Sequence, residues 1–364
     1  MEDVEFWLLF TRLELPPQRQ VTAIKHFGSP RPLFEASREE ILAVFGLNER
    51  VYQKIERVER TTDLADEVRR LEQCGAQLVT WDDERYPPRL REISCPPPVL
   101  YVLGDVQCLS RSAVAMVGTR RPSTYGLRLA REMARELAAR GMVIVSGLAV
   151  GIDAAAHEGA LDAGGKTVAV LGCGIDVVYP AANRKLRERI KENGALVTEF
   201  SLGARPQRWM FPQRNRVISG LALGTIVVEA PERSGALITA HHALEQGREV
   251  MAVPGDVQRG RSRGCHNLIR DGAHLVECAD DVLDVLGLPR RARPAAPAIK
   301  PGELSPAESA VYNALGPELM HVDDIAARAG LDVPQASATL MLLEMKGLAQ
   351  RFPGSRYCRA QPGC

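Results

Sequence analysis

Between Arg205 and Arg216 the chain reads Arg-Pro-Gln-Arg-Trp-Met-Phe-Pro-Gln-Arg-Asn-Arg, four arginines interleaved with Trp209, Phe211 and Asn215. Guanidinium groups set among aromatic faces suit an unpaired polynucleotide: the cations follow successive phosphates while bases stack on the rings, for about 1–3 kcal/mol each. Paired bases would hide those faces. The competing reading makes Trp209 and Phe211 the anchors of a long loop whose arginines are simply solvated. Charge segregation favours the first. The chain carries 46 Lys and Arg against 45 Asp and Glu, a net +1, yet Ala113 to Leu275 sum to about +7 while the domains on either side are negative.

Small-residue turns supply the second candidate site. Short apolar runs are followed by Gly118-Thr119-Arg120-Arg121-Pro122-Ser123, by Ser146-Gly147-Leu148-Ala149-Val150-Gly151-Ile152-Asp153, by Gly172-Cys173-Gly174 and by Pro231-Glu232-Arg233-Ser234-Gly235-Ala236. Such turns let a phosphate approach the backbone, and Arg120 and Arg121 can pair with it. Glycine turns alone are a weak signal, since every open α/β sheet needs them. Two stronger phosphate motifs fail. Gly164-Gly165-Lys166-Thr167 imitates a P-loop, but Ala160 stands where the first glycine belongs, and the string runs into an apolar run instead of leaving one. No run is followed by G-x-G-x-x-G, so dinucleotide chemistry has no support either.

Catalytic constellations are equally thin, because spacing suggests no Ser-His-Asp or Cys-His set. Asp153 and His157, four apart, read as a capping or packing pair, and Glu199 and Glu229 as helix-end or arginine contacts. Eight cysteines form no CxxC pair and no zinc spacing. Neither a catalytic residue nor a metal or cofactor is assigned.

The elements that must position these residues follow from periodicity. With 364 residues, 45% of them hydrophobic and 25% charged, the chain is an ordinary globular one of two or three domains. Residues 1–85, at about −5, read as a small helical domain. The stretch Ile41 to Leu47 followed by Val51 and Ile55 could be half of a helix-hairpin-helix, but that acidity suits a packing or interaction module better than phosphate binding. From 86 to 288, non-alternating β-branched runs at 113–117, 142–146, 167–171, 195–199, 225–229 and 249–253 alternate with helical segments, the pattern of a doubly wound parallel α/β sheet. Residues 289–302 are a Pro/Arg-rich linker. At 303–364, Ser305 with Glu308 opens a helix, two more follow, and a short hairpin at Pro353-Gly354 completes a winged helix. Its last helix, Val333 to Lys346, has no Lys or Arg from Val333 to Glu344, so protein contact or plain structure competes with DNA binding there. Acidic residues near the start and the absence of a long apolar run predict a cytoplasmic protein with no membrane partner.

The ordered blocks VGTRRPSTYG, SGLAVGIDAAAHEGAL, GCGIDVVYPAANRKL, FPQRNRVISGLALGTIVVEA, RSGALITAHHALEQGREVMAVPG and GCHNLIRDGAHLV, spanning Val117 to Val276, resemble the bacterial DNA processing (DprA/Smf) family. The resemblance implies an extended Rossmann-like domain between an N-terminal SAM-like helical domain and a C-terminal winged helix. It implies a non-enzymatic protein of natural transformation that binds and protects incoming single-stranded DNA and loads the recombinase RecA onto it, as a homodimer. By motif, the family's DNA pocket falls on Gly118, Thr119, Arg120, Ser146, Gly147, Phe211, Arg214, Asn215, Arg216, Ser234 and Gly235, and the dimer and RecA contacts between Glu245 and Leu275. Val150 departs from an arginine common in the SGLARGID block, so that one phosphate contact is either missing or supplied from elsewhere, with Arg121 and Lys166 the candidates. The alternative is a phosphoribohydrolase-like enzyme acting on a nucleotide, whose PGGxGT turn is here Arg233-Ser234-Gly235-Ala236-Leu237, without the double glycine. A third possibility is an adaptor that binds only protein.

Overall fold

A computed structural model describes residues 3–46, 48–258, 260–289, 304–316, 318–346, 348–352 and 354–359. The chain divides into two compact units, Met1–Arg293 and Pro294–Cys364. Apart from Pro289, the linker read at 289–302 lies outside the described residues.

Six helices open the first unit: α1 (Asp3–Arg12), α2 (Pro17–Phe27), α3 (Pro30–Glu35), α4 (Arg38–Val44), α5 (Glu49–Thr61) and α6 (Leu64–Cys74). The longer ones bury a stripe at helical spacing, as α5 does with Val51, Ile55 and Val58. Their core is continuous with the sheet, since Leu8, Leu13 and Leu33 share one cluster with Tyr101, Leu171 and Leu196. Strand β1 (Gln77–Thr80) lies within the segment expected to be wholly helical, and it pairs antiparallel with β2 (Val99–Gly104), beyond the short α7 (Pro88–Arg91). Residue 85 is therefore no break in the fold: the strand before it and the strand after it belong to one sheet.

The alternation expected after residue 112 is observed. Strands β3 (Ala113–Val117), β4 (Val143–Ser146), β5 (Thr167–Val170), β6 (Ala195–Thr198), β7 (Gly224–Val227), β8 (Glu249–Ala252) and β9 (His274–Leu275) alternate with α8 (Thr124–Ala139), α9 (Ile152–Asp162), α10 (Arg184–Asn193), α11 (Met210–Gly220), α12 (Gly235–Glu245) and α13 (Arg263–Arg270), and α14 (Ala279–Val285) follows. The sheet runs β1-β2-β6-β5-β4-β3-β7-β8-β9. From β6 to β9 it is parallel, and β2 joins β6 antiparallel. β3 to β7 are buried along their length because helices cover both faces, which is why no polar alternation marks them.

Strand order reverses between β3 and β7. The chain fills one side with β4, β5 and β6 and the other with β8 and β9, so the loops leaving β3 and β7 diverge and open a crevice at their carboxyl ends. The P-loop imitation sits at the other end: Gly164 turns out of α9 with φ +66° and the chain enters β5 directly.

The second unit holds α15 (Pro306–Ala314), β10 (Met320–His321), α16 (Val322–Ala329), α17 (Val333–Met345), β11 (Ala349–Phe352) and β12 (Arg356–Arg359), with the strands in the order β10-β12-β11. Ser305 and Glu308 form the expected capping box at α15. Val311, Leu315, Ile325, Leu340, Leu343 and Tyr357 make its core, the arrangement of a winged helix. Among the described residues, no helix is long and apolar enough to cross a membrane.

Candidate nucleic-acid interface

The crevice at the β3/β7 reversal is an open cleft of about 1460 Å³. Five arginines line it, Arg120, Arg121, Arg208, Arg214 and Arg233, against one carboxylate, Asp153. Arg214 and Asp153 are buried, and the other four arginines are exposed at the rim. The loops are tied through Thr119, whose N–H donates to the Glu229 carbonyl (2.7 Å) and whose carbonyl accepts from Ile152 (3.3 Å). Glu229 itself accepts from the Ser123 N–H (3.0 Å) at the start of α8, and Ser123 Oγ caps the Gly126 amide. Ser234 caps α12 through the Ala236 amide (3.3 Å), so that helix presents its N-terminus to the cleft beside Gly235.

Phe211 stands in the first turn of α11 and forms the aromatic wall. Its ring lies 5.7 Å from that of Tyr179, and the Arg120 guanidinium sits over it at 5.4 Å. Gly172 makes room, since a Cβ there would come within 2.7 Å of the Phe211 ring. Asn215, one turn on, faces the same way and donates to the Gly235 carbonyl (3.3 Å).

Beneath this wall Arg214 donates to the carbonyls of Gly147 (2.9 Å) and Val170. Burial pulls its guanidinium down to about 10, still charged at neutral pH. Asp153 accepts from the amides of Gly147 (3.1 Å) and Ala149 (3.4 Å); burial raises its carboxyl, and Arg214 opposes that. Gly147 admits the guanidinium, for a Cβ there would lie 2.6 Å from Nη2. His157 is one turn further and unconnected to Asp153. Its Nδ1 lies 2.7 Å from Thr167 Oγ1, and burial, then Arg214, depress it to about 3, leaving a neutral ring.

The sequence model of the family described as DNA recombination-mediator protein A matches residues 77–287, and that of the DprA winged helix domain matches 293–355. The chain belongs to this family. Protein Smf of Escherichia coli strain K12 is 37% identical over 371 residues, covering 100% of this chain and 98% of that protein. The solved structure of DNA processing protein A from Streptococcus pneumoniae is 37% identical, with a TM-score of 0.69 over 78% of this chain and 98% of its own. That of DNA processing protein A from Helicobacter pylori, whose structure describes a single-stranded DNA binding mode, is 31% identical, with a TM-score of 0.53 over 58% of this chain and 95% of its own.

In this recombination-mediator chain the expected site residues separate into three groups. Gly118, Thr119, Arg120, Arg121, Phe211, Arg214, Asn215, Ser234 and Gly235 line the cleft. Ser146 and Gly147 support it: Ser146 is fully buried with Oγ donating to the Met116 carbonyl (2.6 Å), which removes it as a ligand donor, and Gly147 seats Arg214. Arg216 and Lys166 fall away from it. Helix α11 starts at Met210, so Arg214 and Arg216 are turned about 200° apart, and Arg216 is buried against Glu199 (2.5 Å) on the far side. Lys166 precedes β5 and lies 3.8 Å from Asp105, roughly 13 Å of strand from the carboxyl edge, so it cannot replace a contact at Val150. Lys166→Ala is accordingly expected to change single-strand affinity less than about twofold in a fluorescence titration.

Trp209 also leaves the wall. It packs edge-on against Phe200 (5.9 Å, 83°) and lines a separate small cavity with Phe10 and Leu15 of the N-terminal helices, but remains 44% exposed and is no core anchor. From sequence, Arg208 and Arg233 are read only as members of their segments, and Tyr179 is not read as a site residue. Each sits in a loop leaving the carboxyl end of a strand, which is the signal that could have found them.

Proposed function

We propose that this chain binds single-stranded DNA in the β3/β7 cleft as a mediator of homologous recombination in natural transformation. The observation that carries the reading is Phe211 under Arg120 in a cleft of five arginines and one buried carboxylate. Rim cations hold phosphates without reading sequence, and the aromatic wall takes the face of an unpaired base. The single-strand binding mode described for the H. pylori relative supports it. The proposal extends to a cytoplasmic, non-enzymatic homodimer that protects the strand and loads RecA. In its support, the carboxylates of Glu199 and Glu229 are committed to Arg216 and Ser123, and His157 is buried and neutral. The resemblance puts the dimer and RecA contacts at Glu245 to Leu275, where β9 is the edge strand of the sheet and both its residues are exposed.

Titration of labelled oligo-dT and of duplex across a salt series is the test, and tight, salt-dependent binding of the single strand is the expected result. Equal preference for duplex, or no binding, overturns the reading. Arg120→Ala removes one phosphate partner and is expected to reduce the slope of log K against log salt by about 0.7, with unaltered thermal stability.

A further inference from the structure

The two rings of the aromatic wall come from different segments, Tyr179 from the loop after β5 and Phe211 from the helix that follows the loop after β6. One side chain clamps these two loops. Asp176 accepts from the Gly203 N–H with both oxygens (2.7 and 3.0 Å), and two residues away the Gly174 N–H donates to the Ala204 carbonyl (2.9 Å). Asp176 in turn receives Arg70 Nη2 of α6 (2.8 Å), which reaches in from the N-terminal helices. Gly203 lies flat beneath that guanidinium, and a Cβ there would stand 2.8 Å from Nη2. Arg70 is also oriented from below by Glu67 (3.4 Å), a buried carboxylate that Arg12 of α1 holds as well.

We infer that Arg70, through Asp176, is a positioning residue for base stacking in the cleft, so that the N-terminal helices set the alignment of Tyr179 with Phe211. The inference rests on the single-strand reading above and specifies which part of the binding free energy the helices govern. Arg70 lines no part of the cleft and reaches it only through Asp176 and the Gly203 loop. The pair is only partly exposed, at 33% and 24% of the two side chains, and as an isolated ion pair it would contribute little. Its weight comes from geometry. It ties the Tyr179 loop and the Gly203 loop to α6 by a polar contact, beside the apolar packing of Val68 and Leu71 with Ile175 and Leu202.

The test compares oligo-dT with an abasic oligomer of the same length, because the two share phosphates and differ only in bases. In the full chain, Arg70→Ala and Asp176→Ala are each expected to weaken oligo-dT binding about fivefold and to leave abasic binding and the salt slope unchanged. The double variant should lose no more than either single one, and Arg70→Lys should restore most of the affinity. Unchanged oligo-dT affinity in Arg70→Ala, or equal losses for both oligomers, overturns the inference while leaving the cleft assignment intact. Failure of the unaltered chain to bind either oligomer overturns the single-strand reading itself, and this inference with it.

Discussion

Arg214→Ala is expected to destabilise the first unit by about 3–5 kcal/mol, seen as a fall in the urea midpoint, and to abolish DNA binding only as a consequence. Three losses combine. The carbonyls of Gly147 and Val170 lose their donor, a void opens under Phe211, and Asp153 is left buried without the cation that opposes its desolvation. The pH dependence identifies the last of these. Burial already raises the folded-state carboxyl of Asp153 above its unfolded value, so the native state binds the extra proton and stability falls as pH rises between the two. Without Arg214 that shift grows, and the variant should regain stability on acidification toward the unfolded carboxylate range, while Asp153→Asn in the same background should restore part of it at neutral pH. A variant as stable as the parent, with weakened DNA binding, would return Arg214 to the role of a plain phosphate ligand. Arg216→Ala should follow the same pattern, since it strands Glu199, whose carboxyl burial already pushes up.

These two arginines mark where sequence reasoning runs out. Alternation in Arg-Asn-Arg implies a common side only if the segment is extended, with a period of two. Helix α11 spans Met210–Gly220, and a period of 3.6 sends the two guanidiniums opposite ways. The apolar pattern reads as helical from Arg214 to Leu221, and the two arginines are put on one side by the family motif, which carries no helical phase. The parallel strands β3 to β8, by contrast, were legible to within a residue or two, since burial on both faces demands continuous β-branched runs and leaves a strong compositional mark, whereas the exposed two-residue β9 leaves none. β1 and β2 escaped for the opposite reason. β1 is four residues long with Val79 its single buried position, and β2 follows Pro96-Pro97-Pro98, which reads as a lead-in to the sheet instead of part of it. The carboxyl-edge rule places the cleft from topology alone, and Arg208, Arg233 and Tyr179 join it from three loops at that edge that lie far apart in sequence.

The sharpest check on the cleft is Phe211→Ala, which should weaken oligo-dT binding by about 1–3 kcal/mol, or about 5- to 150-fold. The ring has no charge, so the plot of log K against log salt should keep its slope and drop in parallel, the reverse of the signature expected of Arg120→Ala. The distinction is physical: counterion release depends on the number of phosphates held, and stacking depends on an exposed π-face. Arg120 connects the two, since its guanidinium lies over the same ring, and Phe211→Ala frees it to move. Phe211→Tyr keeps the face and should retain most of the affinity. A change of slope in Phe211→Ala would mean that the ring acts by holding Arg120 in place, and unchanged affinity would mean that no base reaches it. In either event the strand would be gripped by its backbone alone, and the preference for unpaired DNA would need another source.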